Sequence, residues 1–256
     1  MNGLNQKQVS NASISIIVTT KSKTSNIIRL TESLHPIKKY IHEYIIVDAG
    51  TPDIYNIVID SFKDFPIIID GTGTNRSSGK NLGVKYSSGG ILVFLNDDTE
   101  ICNDYILEVK KSMVISNVAV GYSSNPLGRD MSRVSCCVDG IDISYPSCNM
   151  VCMKSVFDRV GLFNESMVTA EDMDFNYRCI KHGFNIFYNP RLRVHHFHRS
   201  TFKGFARQAF WNGYGRRQLN RIHPELKKLH DYGLGFKSLE RLGFGFLGYM
   251  SGDLFK

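Results

Sequence analysis

The sequence predicts an α/β fold, a mostly parallel, twisted sheet flanked by helices, with a basic helical extension behind it. Three observations carry that reading. Short, β-branched apolar runs alternate with stretches of helical spacing, the pattern of strands joined by right-handed crossovers. The apolar runs are continuous rather than alternating, as in strands covered on both faces. The charge is also uneven: residues 190–256 hold 13 Lys and Arg against 4 Asp and Glu, net +9, whereas residues 1–189 hold 18 against 20, net −2. The chain divides accordingly into a sheet domain over residues 1–200 and a basic amphipathic extension over 201–256.

The elements follow in order. Ser13 to Thr20 is a first strand, and Thr24 to Leu34 a helix closed by His35-Pro36. Tyr44 to Asp48 is a second strand that ends in a turn-rich segment, and Ile54, Ile57, Val58 and Phe62 space a second helix. Ile67 to Asp70 is a third strand, Gly71 to Ser78 a loop and Lys80 to Tyr86 a helix. The fourth strand, Ile91 to Leu95, runs straight into Asn96-Asp97-Asp98. Tyr105 to Ser116 reads as a helix, Val118 to Tyr122 as a strand, and Ser123 to Pro146 as irregular. Asn149 to Met153 is a strand and Val156 to Val160 a short helix. Thr169 is placed to cap the next helix, with Asp172 as its capping-box partner, and Gly183 ends it. Phe184 to Tyr188 is a last strand, followed by Pro190 and then Val194 to His198.

Chemistry concentrates at strand ends, where open α/β sheets bind ligands. Asp97 and Asp98 would repel one another unless a cation or donor groups intervened. If the strand continues through them, alternation sends them in opposite directions, with Asn96 and Asp98 sharing a face. Asp98 is the first choice for a metal ligand, and Asn96 is placed for a ribose or a metal-bound water. A polar turn after a buried strand is the plain alternative. Glu171 and Asp172 are candidates for a general base, a role that competes with capping. His195, His196 and His198 form a third cluster. No cysteine lies near it in the sequence, which speaks against a structural zinc. Gly73 to Lys80 approaches a P-loop, but Asn81 stands where that motif has Ser or Thr. Arg76 and Lys80 are therefore read as cations near a nucleotide's diphosphate or base, against the alternative of an ordinary exposed loop.

The segments SIIVTT, IIVDAGTPD, GKNLGVKYSSGGILVFLNDDTEI, VGLFNESM, AEDMDFNYRCIKHG and NPRLRVHHFHR, in this order and spacing, resemble glycosyltransferase family 2 with the GT-A fold. The resemblance runs from about Ser13 to Arg199. It implies an inverting transfer from a nucleoside-diphosphate sugar donor, usually with magnesium or manganese (Mg2+ or Mn2+). Carried onto this chain, it assigns Asp98 to the metal and Asp172 to the base. Asp48 reads the nucleobase, Thr19 and Thr20 lie near it, and the late metal-contacting histidine is His196. Asn96 replaces a common Asp, Ala49-Gly50-Thr51 a common Asp-Gly-Ser, and Lys80 a frequent Arg.

The six cysteines show no CxxC pair and no zinc or disulfide spacing, so reduced thiols in a cytoplasmic setting are expected. Met1 to Asn11 lacks an apolar signal core, and no run reaches transmembrane length. The extension mixes aromatics (Phe202, Phe205, Phe210, Phe246) with Arg207, Arg216, Arg217 and Arg221, as helices at a membrane surface do. Packing onto the sheet domain is the alternative. The tail resembles those of family members with lipid-linked or membrane-proximal acceptors. The expectation is thus peripheral contact with the cytoplasmic membrane face, by a peripheral enzyme or a truncated form. Two rivals remain. A sugar nucleotidyltransferase needs a Gly-rich basic signature after the first strand, which Lys21-Ser22-Lys23-Thr24 does not supply. A basic nucleic-acid binder leaves both acidic motifs unused, and no nucleic-acid signature is present.

Overall fold

The computed structural model describes residues 6–252 apart from 22, 52, 57, 59–65, 127–133, 198–200 and 232–235. Its strands are β1 (Ile14–Thr20), β2 (Glu43–Asp48), β3 (Pro66–Asp70), β4 (Ile91–Asn96), β5 (Thr99–Ile101), β6 (Val118–Ser124), β7 (Ser135–Val138), β8 (Ile141–Asp142), β9 (Asn149–Met153), β10 (Ile186–His196) and β11 (His230–Asp231). The helices are α1 (Gln6–Asn11), α2 (Thr24–Leu34), α3 (Arg76–Tyr86), α4 (Tyr105–Ile115), α5 (Lys154–Val160), α6 (Glu171–Lys181), α7 (Phe202–Ile222) and α8 (Phe236–Ser251). An eight-stranded sheet has the order β3-β2-β1-β4-β9-β6-β10-β5, and β11, β7 and β8 form a small second sheet.

Strands β3, β2, β1 and β4 are mutually parallel, β9 is antiparallel to both β4 and β6, and β10 runs parallel to β6. The apolar runs of β1, β2 and β4 are buried throughout, because helices cover both faces. Helix α3 lies against β1 and β2. The fit is tight: a Cβ added at Gly83 of α3 would stand 2.3 Å from Ile17 Cγ2. The carboxyl ends of the parallel strands come level, with Thr20 opposite Asp48, Asp48 opposite Asp70, and Thr19 opposite Asn96.

Several elements depart from the sequence reading. Helix α3 begins at Arg76 rather than Lys80, because Asn75 caps it in a reciprocal box with Ser78. The segment read as irregular holds β7 and β8, which pair through Cys137–Asp142 and Val138–Ile141. The polar N-terminal segment, for which the sequence predicts no element, contains α1, whose Val9 is buried. The last predicted strand and the segment from Val194 lie on one strand, β10, that runs through Pro190. Its register on β6 shifts between Asn189 and Arg193, an irregularity that accommodates a residue with no N–H to donate. Of the second predicted helix only residues 54–56 and 58 are described, with Ile54 and Val58 buried.

Candidate active site

The site is built on the carboxyl ends of β1, β2 and β4. Asp48 leaves β2 and folds back on its own turn, where Oδ1 accepts from Gly50 N at 3.1 Å and Thr51 N at 2.7 Å. The Thr51 and Thr20 hydroxyls are 3.2 Å apart, and Thr20 Oγ1 donates to Asp97 Oδ2 at 2.6 Å. Asp97 is thus tied across the strand ends to the β2 turn. Asp98 goes the other way, although β4 ends at Asn96 and residues 97–98 form a turn rather than a continued strand. Its Oδ1 lies 2.9 Å from His196 Nε2.

The neighbouring strand explains that contact. β5 and β10 pair antiparallel with Thr99 opposite His196, and Phe197 N donates to Asp98 O at 2.9 Å. His195, one residue earlier, faces elsewhere: Nδ1 is 2.9 Å from Ser124 Oγ and Nε2 is 3.5 Å from Cys102 Sγ. His198 lies outside the described residues. Burial opposes a charge on His196, but Cys148 and Asp98 outweigh it and push the imidazole up to about 10.

A carboxylate and an imidazole are a suitable donor pair for a divalent cation such as Mn2+ or Mg2+, whose binding would displace the imidazole proton. Among the described residues no group of three or more His, Cys, Asp and Glu side chains is arranged around one metal position. An ion held by Asp98 and His196 therefore needs further oxygen ligands, which a diphosphate and water can supply. The fit is to a metal that arrives with a phosphorylated ligand.

The second acidic group sits at the start of α6. Thr169 does not cap this helix. The N-cap is Ala170, in a left-handed conformation (φ 63), and it makes no side-chain cap hydrogen bond. The capping box is therefore absent, and Asp172 is released from it. Asp172 Oδ2 accepts from Ser147 N at 3.3 Å and Oδ1 from Met173 N at 2.9 Å. Burial and the adjacent Glu171 charge raise its pKa to about 6, against the lowering pull of Lys80.

Glu171 itself is committed elsewhere. Lys80 Nζ lies 2.7 Å from Glu171 Oε1 and donates to Ser147 Oγ at 2.5 Å. Lys80, expected beside the donor's diphosphate, is thus turned inward and buried. The physical reason is that a buried carboxylate needs a counter-charge. Burial would raise the pKa of Glu171, but the Lys80 ammonium, with help from Arg76, holds it low. Arg76 remains exposed at the start of α3. Two adjacent carboxyls thus differ in kind: Glu171 is ionised and tied down, and Asp172 is poised.

Ser147 and Cys148 were not singled out in the sequence, yet they join the two acidic groups. Ser147 touches Asp172 and Lys80, and Cys148 hydrogen-bonds to His196. The sole hint was position, immediately before β9 at the end of a long connection. Asn81 has a similar supporting role, holding Phe163 O at 2.9 Å and Glu165 Oε1 at 2.8 Å through its amide.

Comparison with known proteins follows the same lines. Residues 15–124 match the family described as glycosyl transferase family 2. A pre-mycofactocin glycosyltransferase of Mycobacterium tuberculosis is 24% identical over 228 residues, covering 80% of this chain and 47% of the relative. The chain thus spans about half the length of that relative. S. aureus TarS 1-349 in complex with UDP-GlcNAc superposes with a TM-score of 0.65 at 16% identity, covering 91% of this chain and 71% of TarS 1-349. Mannosyltransferase PcManGT from Pyrobaculum calidifontis, in complex with GDP-Man and Mn2+, gives 0.65 at 11% identity, covering 98% and 81%. The architecture is that of the GT-A glycosyltransferases.

Proposed function

We propose, from the match of residues 15–124 to glycosyl transferase family 2 and from the GT-A fold, that this chain transfers a sugar with inversion from a nucleoside-diphosphate donor to an acceptor hydroxyl. The observation that carries the reading is a carboxylate–imidazole pair, Asp98 with His196, linked through Cys148 and Ser147 to a half-buried, uncapped Asp172 of raised pKa. The donor lies over the strand ends. Asp48 and the Thr19–Thr20 end of β1 face the nucleobase, Asn96 and Asp97 the ribose, and exposed Arg76 the diphosphate. Asp98 and His196 hold the divalent ion, which when bound neutralises the charge that develops on the leaving diphosphate. Asp172 takes the proton from the acceptor hydroxyl as it attacks the anomeric carbon from the opposite face. A base with a pKa near 6 is ionised at neutral pH yet still basic enough to accept a proton in the transition state.

The acceptor is a glycan or a lipid-linked group presented at a membrane. Support comes from the extension: Phe202, Phe246, Leu247 and Met250 are exposed on α7 and α8, with Lys203, Arg207 and Arg221 along α7. Apolar and basic side chains together suit an anionic lipid surface. Among the described residues no helix is long and apolar enough to cross a membrane, so the contact proposed is peripheral.

Thermal denaturation with UDP, GDP and dTDP, each with and without Mn2+, tests the donor half of the reading. One nucleotide should raise the melting temperature, and Mn2+ should add to it only when that nucleotide is present. No response to any of the three would remove the donor site.

A further inference from the structure

We propose that α7, in the basic extension, is a strut that fixes the acidic turn, and that Gly215, Gln218 and His223 are positioning residues for Asp172. The proposal rests on the assignment of Asp172 as the base. It gives the extension a part in turnover separate from any membrane contact.

Gly215 and Gln218 on α7, with His223 and Glu225 just beyond its end, touch residues 166–177. Gln218 Oε1 accepts from Val168 N at 3.2 Å, and its amide reaches back to Ser166 O at 3.5 Å. Gly215 lies under Thr169 so closely that an added Cβ would meet Thr169 Cγ2 at 2.5 Å and Thr169 O at 2.8 Å. Just beyond the helix, His223 Nε2 is 2.8 Å from Asp174 Oδ1. The other Asp174 oxygen takes Arg178, whose guanidinium also donates to Val160 O and Leu162 O, each at 2.8 Å. Tyr177 donates to Glu225, and its ring lies 4.4 Å from that of His223.

What these contacts bracket is Ala170, whose left-handed backbone (φ 63) is a conformation an alanine holds only when its surroundings impose it. Helix α6 has no side-chain cap to fix its start. The start is fixed instead from outside, by α7 on one side and by Ser147 and Lys80 on the other. A shift of about 1 Å in the base is enough to cost a large factor in rate, because attack requires near-contact geometry.

The test uses the full chain with Gly215→Ala, Gln218→Ala and His223→Gln. Turnover is followed as UDP release from UDP-GlcNAc or GDP release from GDP-mannose, whichever the wild type uses. Amide hydrogen exchange is followed over residues 166–173. Gly215→Ala should lower kcat at least tenfold, leave the donor KM within twofold and speed exchange across 166–173. Gln218→Ala, at a surface position, and His223→Gln should do the same to a smaller degree, and they carry the test if Gly215→Ala does not fold. Unchanged kcat, unchanged exchange, or a KM that rises in step with the loss of kcat would overturn the proposal. A wild-type chain that releases neither nucleotide would sink the glycosyltransferase reading, and exchange in the variants would still decide whether α7 holds the turn.

Discussion

Asp98 and Asp172 are linked through two consecutive residues: Cys148 hydrogen-bonds to His196, the partner of Asp98, and Ser147 N donates to Asp172. The two acidic groups lie 74 positions apart in the sequence, yet one peptide step separates their supports. That segment leads into β9, the antiparallel strand inserted between β4 and β6. The sheet order therefore places the residues proposed to hold the donor and the base on the two flanks of the segment leading into one strand.

The pH dependence follows from Asp172. Its pKa is raised to about 6, so the base form grows as pH rises through that value. The kcat profile should climb from pH 5 to 7 with an inflection near 6. The same shift means that the folded state favours the protonated acid, so ionising Asp172 costs stability as pH rises from the usual carboxylate range through 6. A profile flat across that range would contradict the assignment.

The Lys80–Glu171 pair makes a stability prediction. Both side chains are nearly sealed from solvent, at 7% and 5% exposure. Lys80→Met leaves a buried carboxylate without its counter-charge and should cost about 3–5 kcal/mol in urea unfolding. Adding Glu171→Gln should recover much of that loss, since an apolar and an amide side chain then replace a broken ion pair. Equal stability of Lys80→Met and the wild type would mean the pair is not formed.

How far the sequence discloses this depends on the kind of interaction. Ile91 to Leu95 is legible as a buried strand because continuous apolar runs reflect burial on both faces, whereas the divergence of Asp97 from Asp98 arises in the turn after β4, which strand alternation does not govern. The family resemblance favours His196 among His195, His196 and His198 where spacing alone does not, and the register of β5 on β10 decides that His196 rather than His195 meets Asp98. Lys80 misleads because a lysine in a Gly/Ser segment looks the same whether it faces a phosphate or a carboxylate 91 residues away. The Thr169 capping pattern is present in sequence but is overridden by the left-handed turn at Ala170. Nothing local in α7 reveals its grip on residues 166–177, since those contacts are set by tertiary packing.

Helix α3 offers a test of the packing that brings Lys80 to Glu171. Gly83→Ala puts a methyl 2.3 Å from Ile17 Cγ2, in a strand with no slack. It should cost about 1–3 kcal/mol. Gly90→Ala, where the nearest atom is Ala12 Cβ at 3.9 Å, is the matched control and should be close to neutral. Similar urea midpoints for the two variants would argue against the close approach of α3 to β1.

The extension's exposed face can be tested apart from its strut contacts. Phe246→Ser with Leu247→Ser removes two side chains that are 62% and 57% exposed. Sedimentation with vesicles containing about one-third anionic lipid should show binding by the wild type and a loss of several-fold in the variant, with nucleotide affinity unchanged. Equal sedimentation would assign these residues no role at a membrane.

The central claim is that Asp172 accepts the acceptor's proton while the donor is held elsewhere. The direct measurement is kcat of Asp172→Asn at saturating donor, in protein whose titration with nucleoside diphosphate and Mn2+ matches the wild type. The account predicts a fall of about 10²–10⁴-fold with donor binding intact. Turnover within a few-fold of wild type would contradict it.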